Sequence, residues 1–195
     1  VAGGETAPRA RVDLSVNAPP QVFADRLVAV TFAALARDLT AEAFARYRPA
    51  IGDLGHRRTL ARWLADHRFA APVERLMLTN GAQHGLAVAF AVAAREGRRL
   101  VTEAVTYPGA LTLARHAGMP PIAVGLDAEG LRPDVLDVAL AELARAGQKA
   151  AVYVTPTLHN PTTATMGEAR RREIVAIARA HDALIVEDDV YSLFT

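Results

Sequence analysis

AAVYVTPTLHNPTTATMGEARRREIVAIARAHDALIVEDDVYSLFT, residues 150–195, decides how the chain is read. Two short apolar runs, 151–154 and 183–186, carry the β-branched residues expected of strands covered on both faces. Between them, residues 167–181 place Ile174, Val175, Ile177 and Ala178 on one face of a helix, with Arg170, Arg171 and Arg172 directed largely toward solvent. Strand, loop, helix, strand is a βαβ unit, and its strands are expected to run parallel. Ligands gather beyond the carboxyl ends of such strands. Those ends carry Thr155, His159, Asn160 and Pro161 after the first strand, and Glu187, Asp188, Asp189 and Tyr191 after the second.

Working outward, the alternation continues upstream. Strands are expected over 75–80, 100–103 and 121–124. Helices are expected over 81–94, from Tyr107 and Pro108 onward, and over 131–146, the last with Val135, Leu136, Val138, Leu140 and Leu143 inward. Further back lie an amphipathic helix over 21–39, with Val22, Phe23, Leu27, Val30, Leu35 and Leu39, and a helix carrying Leu60, Trp63 and Leu64. The turn at Gly81 opens a helix whose first N–H groups lack intrahelical partners and carry the positive end of the dipole, an ordinary way to hold an anion. Three stretches are expected: an arm or linker remnant over 1–19, a helical segment over 20–70, and the front part of a larger domain over 71–195.

At 195 residues and 51% hydrophobic, the chain is long enough to bury a core. Its 22 basic and 21 acidic residues nearly balance, so no global charge argues for nucleic acid or a membrane surface. The absence of cysteine excludes disulfides and thiolate metal sites, and the six histidines have no paired-ligand spacing. No run is long enough to span a membrane and none resembles a signal peptide, so the expected location is cytoplasmic.

HNPTT at 159–163 resembles the Asn-Pro loop of the fold type I pyridoxal 5'-phosphate (PLP) enzymes, the aminotransferase superfamily, and EDDVY at 187–191 resembles its Asp-x-x-Tyr motif. The resemblance implies an α/β fold: a PLP-dependent transferase-like large domain with a mostly parallel central sheet flanked by helices, here without its C-terminal part. It implies Asp188 at the pyridine nitrogen, with Asn160 and Tyr191 donating to the ring oxygen. An ionised carboxylate beside that nitrogen favours its protonated form, in which the ring is the better electron sink. NGAQ at 80–83 is similar to the family's phosphate turn, which assigns Gly81, Ala82 and Gln83 to the phosphate. Tyr107, in a Tyr-Pro-Gly segment, is similar to the aromatic residue that stacks on the ring. Tyr47, in Tyr-x-Pro-x-x-Gly, resembles a tyrosine that reaches the phosphate of a neighbouring subunit, which implies a homodimer. One departure is Thr163, where many relatives have glycine.

The family's Schiff-base lysine falls beyond Thr195, so no catalytic residue is assigned within the chain. Lys149, the single lysine, precedes a strand at its amino end, away from the site. The chain is therefore expected to be the front half of a larger protein, binding PLP weakly at best and without turnover. In full, the resemblance implies amino-group transfer between an amino acid and a 2-oxo acid. VDLSVNAPP at 12–20 and HNPTTATM at 159–166 also resemble the MocR-type regulators of the GntR class, where the fold senses an effector and DNA is bound only through a separate domain. A nucleotide-binding Rossmann domain is disfavoured, because NGAQHG at 80–85 lacks the glycine fingerprint.

Overall fold

The computed structural model describes residues 25–45, 47–67 and 69–194. The expectations for the 1–19 arm, and for Val22 and Phe23, fall outside the described residues. The chain divides into two compact units, 1–48 and 49–195. The first contains helices α1 (Asp25–Asp38) and α2 (Ala41–Ala45). The apolar residues Leu27, Val30, Phe32 and Leu35 of α1 are all exposed.

In the second unit α3 (Leu54–Asp66) starts where the Asp53 carboxylate accepts the N–H groups of Gly55 and His56. A 3-10 turn at Val73–Arg75 leads to α4 (Gly81–Arg95), β1 (Arg99–Glu103) and α5 (Pro108–His116). There follow β2 (Ile122–Val124), the hairpin of β3 (Leu126–Asp127) and β4 (Gly130–Leu131), and α6 (Pro133–Arg145). The unit closes with β5 (Ala150–Val154), α7 (Glu168–Ala180), β6 (Leu184–Glu187) and a 3-10 turn at Ser192–Phe194. The main sheet has the order β2-β1-β5-β6, and every pairing in it is parallel. The α/β fold with helices flanking a parallel sheet is the one the sequence implies.

Side-chain alternation along the two central strands builds two cores, one on each face of the sheet. Val101 of β1 and Ala150, Val152 and Val154 of β5 pack with Leu136, Leu140 and Ile174 of α6 and α7. Leu100, Ala151 and Tyr153 point the other way and pack with Leu86, Phe90, Ala110 and Ala114 of α4 and α5. Each buried aliphatic side chain contributes about 1.5–3 kcal/mol. A strand with solvent on neither face has no polar positions to spare, which is why AAVYV reads as a continuous apolar run.

Four expectations are corrected. Residues 75–80 form no strand: Pro72 caps the 3-10 turn, and the Leu78 N–H bonds to the Ile51 carbonyl at 3.1 Å rather than to a sheet neighbour. The helix expected from 131 begins at Pro133, because Leu131 pairs with Leu126 in the hairpin. Val138 is 56% exposed. Two residues on from Leu136 it lies about 200° around the helix, on the far side from the Leu136, Leu140 and Leu143 stripe. Finally, only Arg172 of the arginine run faces solvent. Arg170 donates to the Leu131 carbonyl and pairs with Asp127 at 2.9 Å, tying α7 to the hairpin, and Arg171 is similarly engaged.

Leu140→Ala is expected to cost about 2–5 kcal/mol in urea unfolding, the penalty of a core cavity. Val138→Ala is expected to change stability by no more than about 0.5 kcal/mol.

Candidate functional site

Because β1, β5 and β6 are parallel neighbours, the segments that follow them leave the sheet at one edge. Residues 104–107, 155–160 and 188–191 are these segments. α4 joins β1 through only Glu96, Gly97 and Arg98, so it runs back along the sheet and its N-terminus lies at the same edge. The fold thus brings Gly81, Ala82, Gln83, Tyr107, Asn160, Asp188 and Tyr191 to one side. Tyr47 belongs to the first unit, where its ring is fully exposed.

Asp188 is the best anchored of these. Its N–H continues the sheet to the Val154 carbonyl at 2.9 Å, and its carboxylate accepts the Tyr153 hydroxyl at 2.9 Å. Tyr153 is fully buried, edge-on to Phe90 with ring centroids 5.7 Å apart, so the phenol that fixes Asp188 is itself fixed. Burial pushes the Tyr153 hydroxyl well above its ordinary value, with the Asp188 charge acting in the same direction, and it therefore stays a donor. Burial also raises the Asp188 carboxyl; the Tyr153 hydrogen bond opposes this, and the adjacent Asp189 adds to it. The neighbouring acid faces elsewhere, since Glu187 is exposed and pairs with Arg171 at 3.1 Å.

The loop after β5 is tied at many points. His159 donates its N–H to the Ala164 carbonyl at 2.8 Å and accepts that of Thr163 at 2.6 Å. Arg171 reaches up from α7 to the Pro156 carbonyl and the Thr157 hydroxyl. The Asn160–Pro161 peptide is cis, and the half-buried Asn160 side chain has no hydrogen-bonding partner among the described residues. Thr163 sits at φ 62°, the left-handed region where glycine is at ease and a β-branched residue is strained.

At α4 Gly81 takes φ 75°, and no side chain caps the first turn. The Gly81 N–H is used by the Thr79 carbonyl at 2.9 Å, and the exposed His84 ring accepts the Asn80 N–H at 3.1 Å. The amides of Ala82 and Gln83 face outward with no partner among the described residues. Half-buried Tyr107 caps α5, and its ring lies across Gly109, where a Cβ would come within 2.4 Å of it.

These residues fit a bound polar heterocycle with a phosphate. Five buried polar side-chain atoms among the described residues lack a hydrogen bond: Thr102 Oγ1, Glu103 Oε1, Thr106 Oγ1, His159 Nε2 and Asp189 Oδ1. All five belong to residues at the carboxyl edge of the sheet, where a bound molecule or water can satisfy such groups. Sequence reasoning missed Tyr153, Arg171 and Glu103. The signal for Tyr153 was a lone phenol in an aliphatic strand, which must find a polar partner when buried.

Thr163→Gly is expected to raise stability by about 1 kcal/mol, the left-handed strain relieved less the entropy of glycine, as read from thermal unfolding. The folded Asp188 carboxyl holds its proton more tightly than the ordinary value of 3.8, so its ionisation removes stability as pH rises from there through the folded value. Asp188→Asn in the cofactor-free chain is therefore expected to match the parent at low pH and to become the more stable of the two as pH climbs, in urea titrations at a series of pH values.

Known proteins agree with this geometry. A family model described as aminotransferase class I and II matches residues 9–195. The aromatic-amino-acid aminotransferase 1 of Thermococcus litoralis is 36% identical over 138 residues, 69% of this chain and 33% of that protein. An uncharacterized HTH-type transcriptional regulator of Escherichia coli, YjiR, is 27% identical over 136 residues, 69% of this chain and 28% of that protein. The crystal structure of Pyrococcus horikoshii kynurenine aminotransferase, in complex with PMP and with kynurenine as substrate, superposes with a TM-score of 0.68 at 29% identity. That match covers 85% of this chain and 41% of the other. The chain thus spans well under half the length of these relatives. With a parallel sheet whose carboxyl edge gathers the Asn-Pro loop and the Asp-x-x-Tyr segment, and a model match over nearly all its residues, the chain belongs to the aminotransferase class I and II family.

Proposed function

We propose that the chain is the cofactor-binding front part of a PLP-dependent aminotransferase, and that the whole protein moves an amino group between an amino acid and a 2-oxo acid. The observation that carries this is the pair of fates of two adjacent acids. Glu187 is taken by Arg171, whereas Asp188 is held by a buried phenol at the edge where Asn160 and the α4 N-terminus also lie. When bound, PLP supplies an electron sink that stabilises negative charge on the substrate carbon.

The residues have separate tasks. Asp188 holds a proton on the ring nitrogen, and a cation there reverses the burial effect that raises its carboxyl in the free chain. Asn160 and Tyr191 donate to the ring oxygen. Tyr107, braced over Gly109, covers one face of the ring and excludes water from it. Gly81, Ala82 and Gln83 receive the phosphate on backbone amides at the positive end of α4. Tyr47 reaches the phosphate of a second subunit in a homodimer. The protein works in the cytoplasm; no helix among the described residues is long and apolar enough to cross a membrane.

A second reading is supported by the similarity to the regulator YjiR: the same site senses an effector for a MocR-type protein whose DNA-binding domain is separate. The full-length protein separates the two. An enzyme converts a 2-oxo acid in the presence of an amino donor, whereas a regulator shifts a DNA complex when PLP and the effector are added.

In the full-length protein Asp188→Ala is expected to weaken PLP retention about tenfold or more, followed by visible absorbance, and Glu187→Ala to leave it within about twofold. Equal losses would assign the role to the wrong carboxylate.

A further inference from the structure

The Glu103 side chain is fully buried at the end of β1, whereas Glu187 at the end of β6 is exposed. An acid in such a place is costly unless it is matched. Its matches are the His159 ring, with Nε2 at 3.0 Å from Oε2, and the Thr155 N–H at 3.4 Å from the same oxygen. The approach of Oε2 to His159 is close but off the ring's N–H direction, so His159 Nε2 completes no straight hydrogen bond, and the other carboxylate oxygen, Oε1, has no partner among the described residues. The attraction is electrostatic and depends on proximity.

His159 is the hub of the loop that carries Asn160. Its backbone makes the two bonds that close the turn, to Ala164 and Thr163, and its ring Nδ1 faces the Thr162 hydroxyl at 2.8 Å and accepts the Thr162 N–H at 3.3 Å. With Nδ1 accepting, the ring hydrogen is carried by Nε2, the nitrogen that lies beside the carboxylate. A buried apolar pair would serve stability as well or better. What an acid and an imidazole add is a choice of ring face: only one ring orientation brings Nε2 beside Glu103 while Nδ1 meets Thr162.

We infer that Glu103 is a positioning residue for Asn160, acting through His159. It sits on a different strand from the loop and, through Thr155, on the same buried chain of polar groups as Tyr153 and Asp188. The carboxylate holds the imidazole, the imidazole holds the turn, and the turn sets where the unpartnered Asn160 amide stands. The inference about Asn160 rests on the cofactor reading of this site; the hold on the loop does not.

Two measurements test it. Without cofactor, hydrogen exchange in Glu103→Gln is expected to speed up about tenfold at the amides of His159 and Thr163, while Val101 and Val152 in the strands keep their rates. Unchanged loop amides, or an equal rise everywhere, overturns the proposal. With cofactor, the affinity for pyridoxamine 5'-phosphate is measured in the full-length protein for Glu103→Gln, Asn160→Ala and the double variant. Each single change is expected to cost about tenfold, and the double no more than Asn160→Ala alone. Additive losses mean that Glu103 acts only on stability, and overturn the inference. If the unaltered protein folds but does not bind pyridoxamine 5'-phosphate, the cofactor reading fails and the exchange data alone decide whether Glu103 holds the loop. Should Glu103→Gln not fold, Thr162→Val, which removes the hydroxyl on the other side of the ring, is expected to give the same local pattern; its absence there overturns the proposal.

Discussion

The constraint on which the second unit depends is that β5 lies between β1 and β6 with helices over both faces. A strand so placed must send alternate side chains into two separate cores, and AAVYV does this with Ala150, Val152 and Val154 on one side and Ala151 and Tyr153 on the other. The single polar side-chain atom in that run is the Tyr153 hydroxyl. It lies near the strand's end because a phenol reaches farther than an aliphatic side chain, and the group it finds is Asp188, just past the end of β6. Core packing and site geometry are therefore set by the same residue.

The remaining polar groups at that edge follow the same logic. Several charged or hydroxyl-bearing side chains near the strand ends are held by a group on a different element: Asp188 by β5, Glu187 and the Thr157 loop by α7, Glu103 by the turn after β5. A loop of irregular backbone gains its shape from these cross-links rather than from regular secondary structure. Thr163, at a dihedral that glycine would occupy with less strain, shows that the shape is imposed from outside the turn.

Most of the fold was legible in the sequence because apolar periodicity reports burial directly, and β1, β2, β5, β6, α4, α5 and α7 lie close to where their patterns place them. The failures have physical reasons. The short apolar run within 75–80 cannot say whether a neighbour is available to pair with. Val138 is apolar, yet a valine on an exposed helix face costs little and leaves no mark in the pattern. Arg170 and Arg171 read as solvated charge because their partners, Asp127 and the 156–157 carbonyl and hydroxyl, are distant in sequence. The motif residues of the site were legible as a list; their supports, Tyr153, Glu103 and Arg171, were not, since a support is defined by what it touches.

The opposite end of the sheet is built differently. There the Arg98 guanidinium donates to the carbonyls of Ala150 and Asp182, spanning the starts of β5 and β6 with one side chain, and Lys149 joins Asp182 at 2.7 Å. The Arg98 guanidinium meets backbone oxygens where the strands begin and Lys149 meets the Asp182 carboxylate, so the base of the sheet is stapled by side chains remote from the candidate site. With its base fixed by Arg98 and Lys149, the sheet offers a rigid platform, and whatever adjustment a guest requires falls to the segments beyond the strands' carboxyl ends.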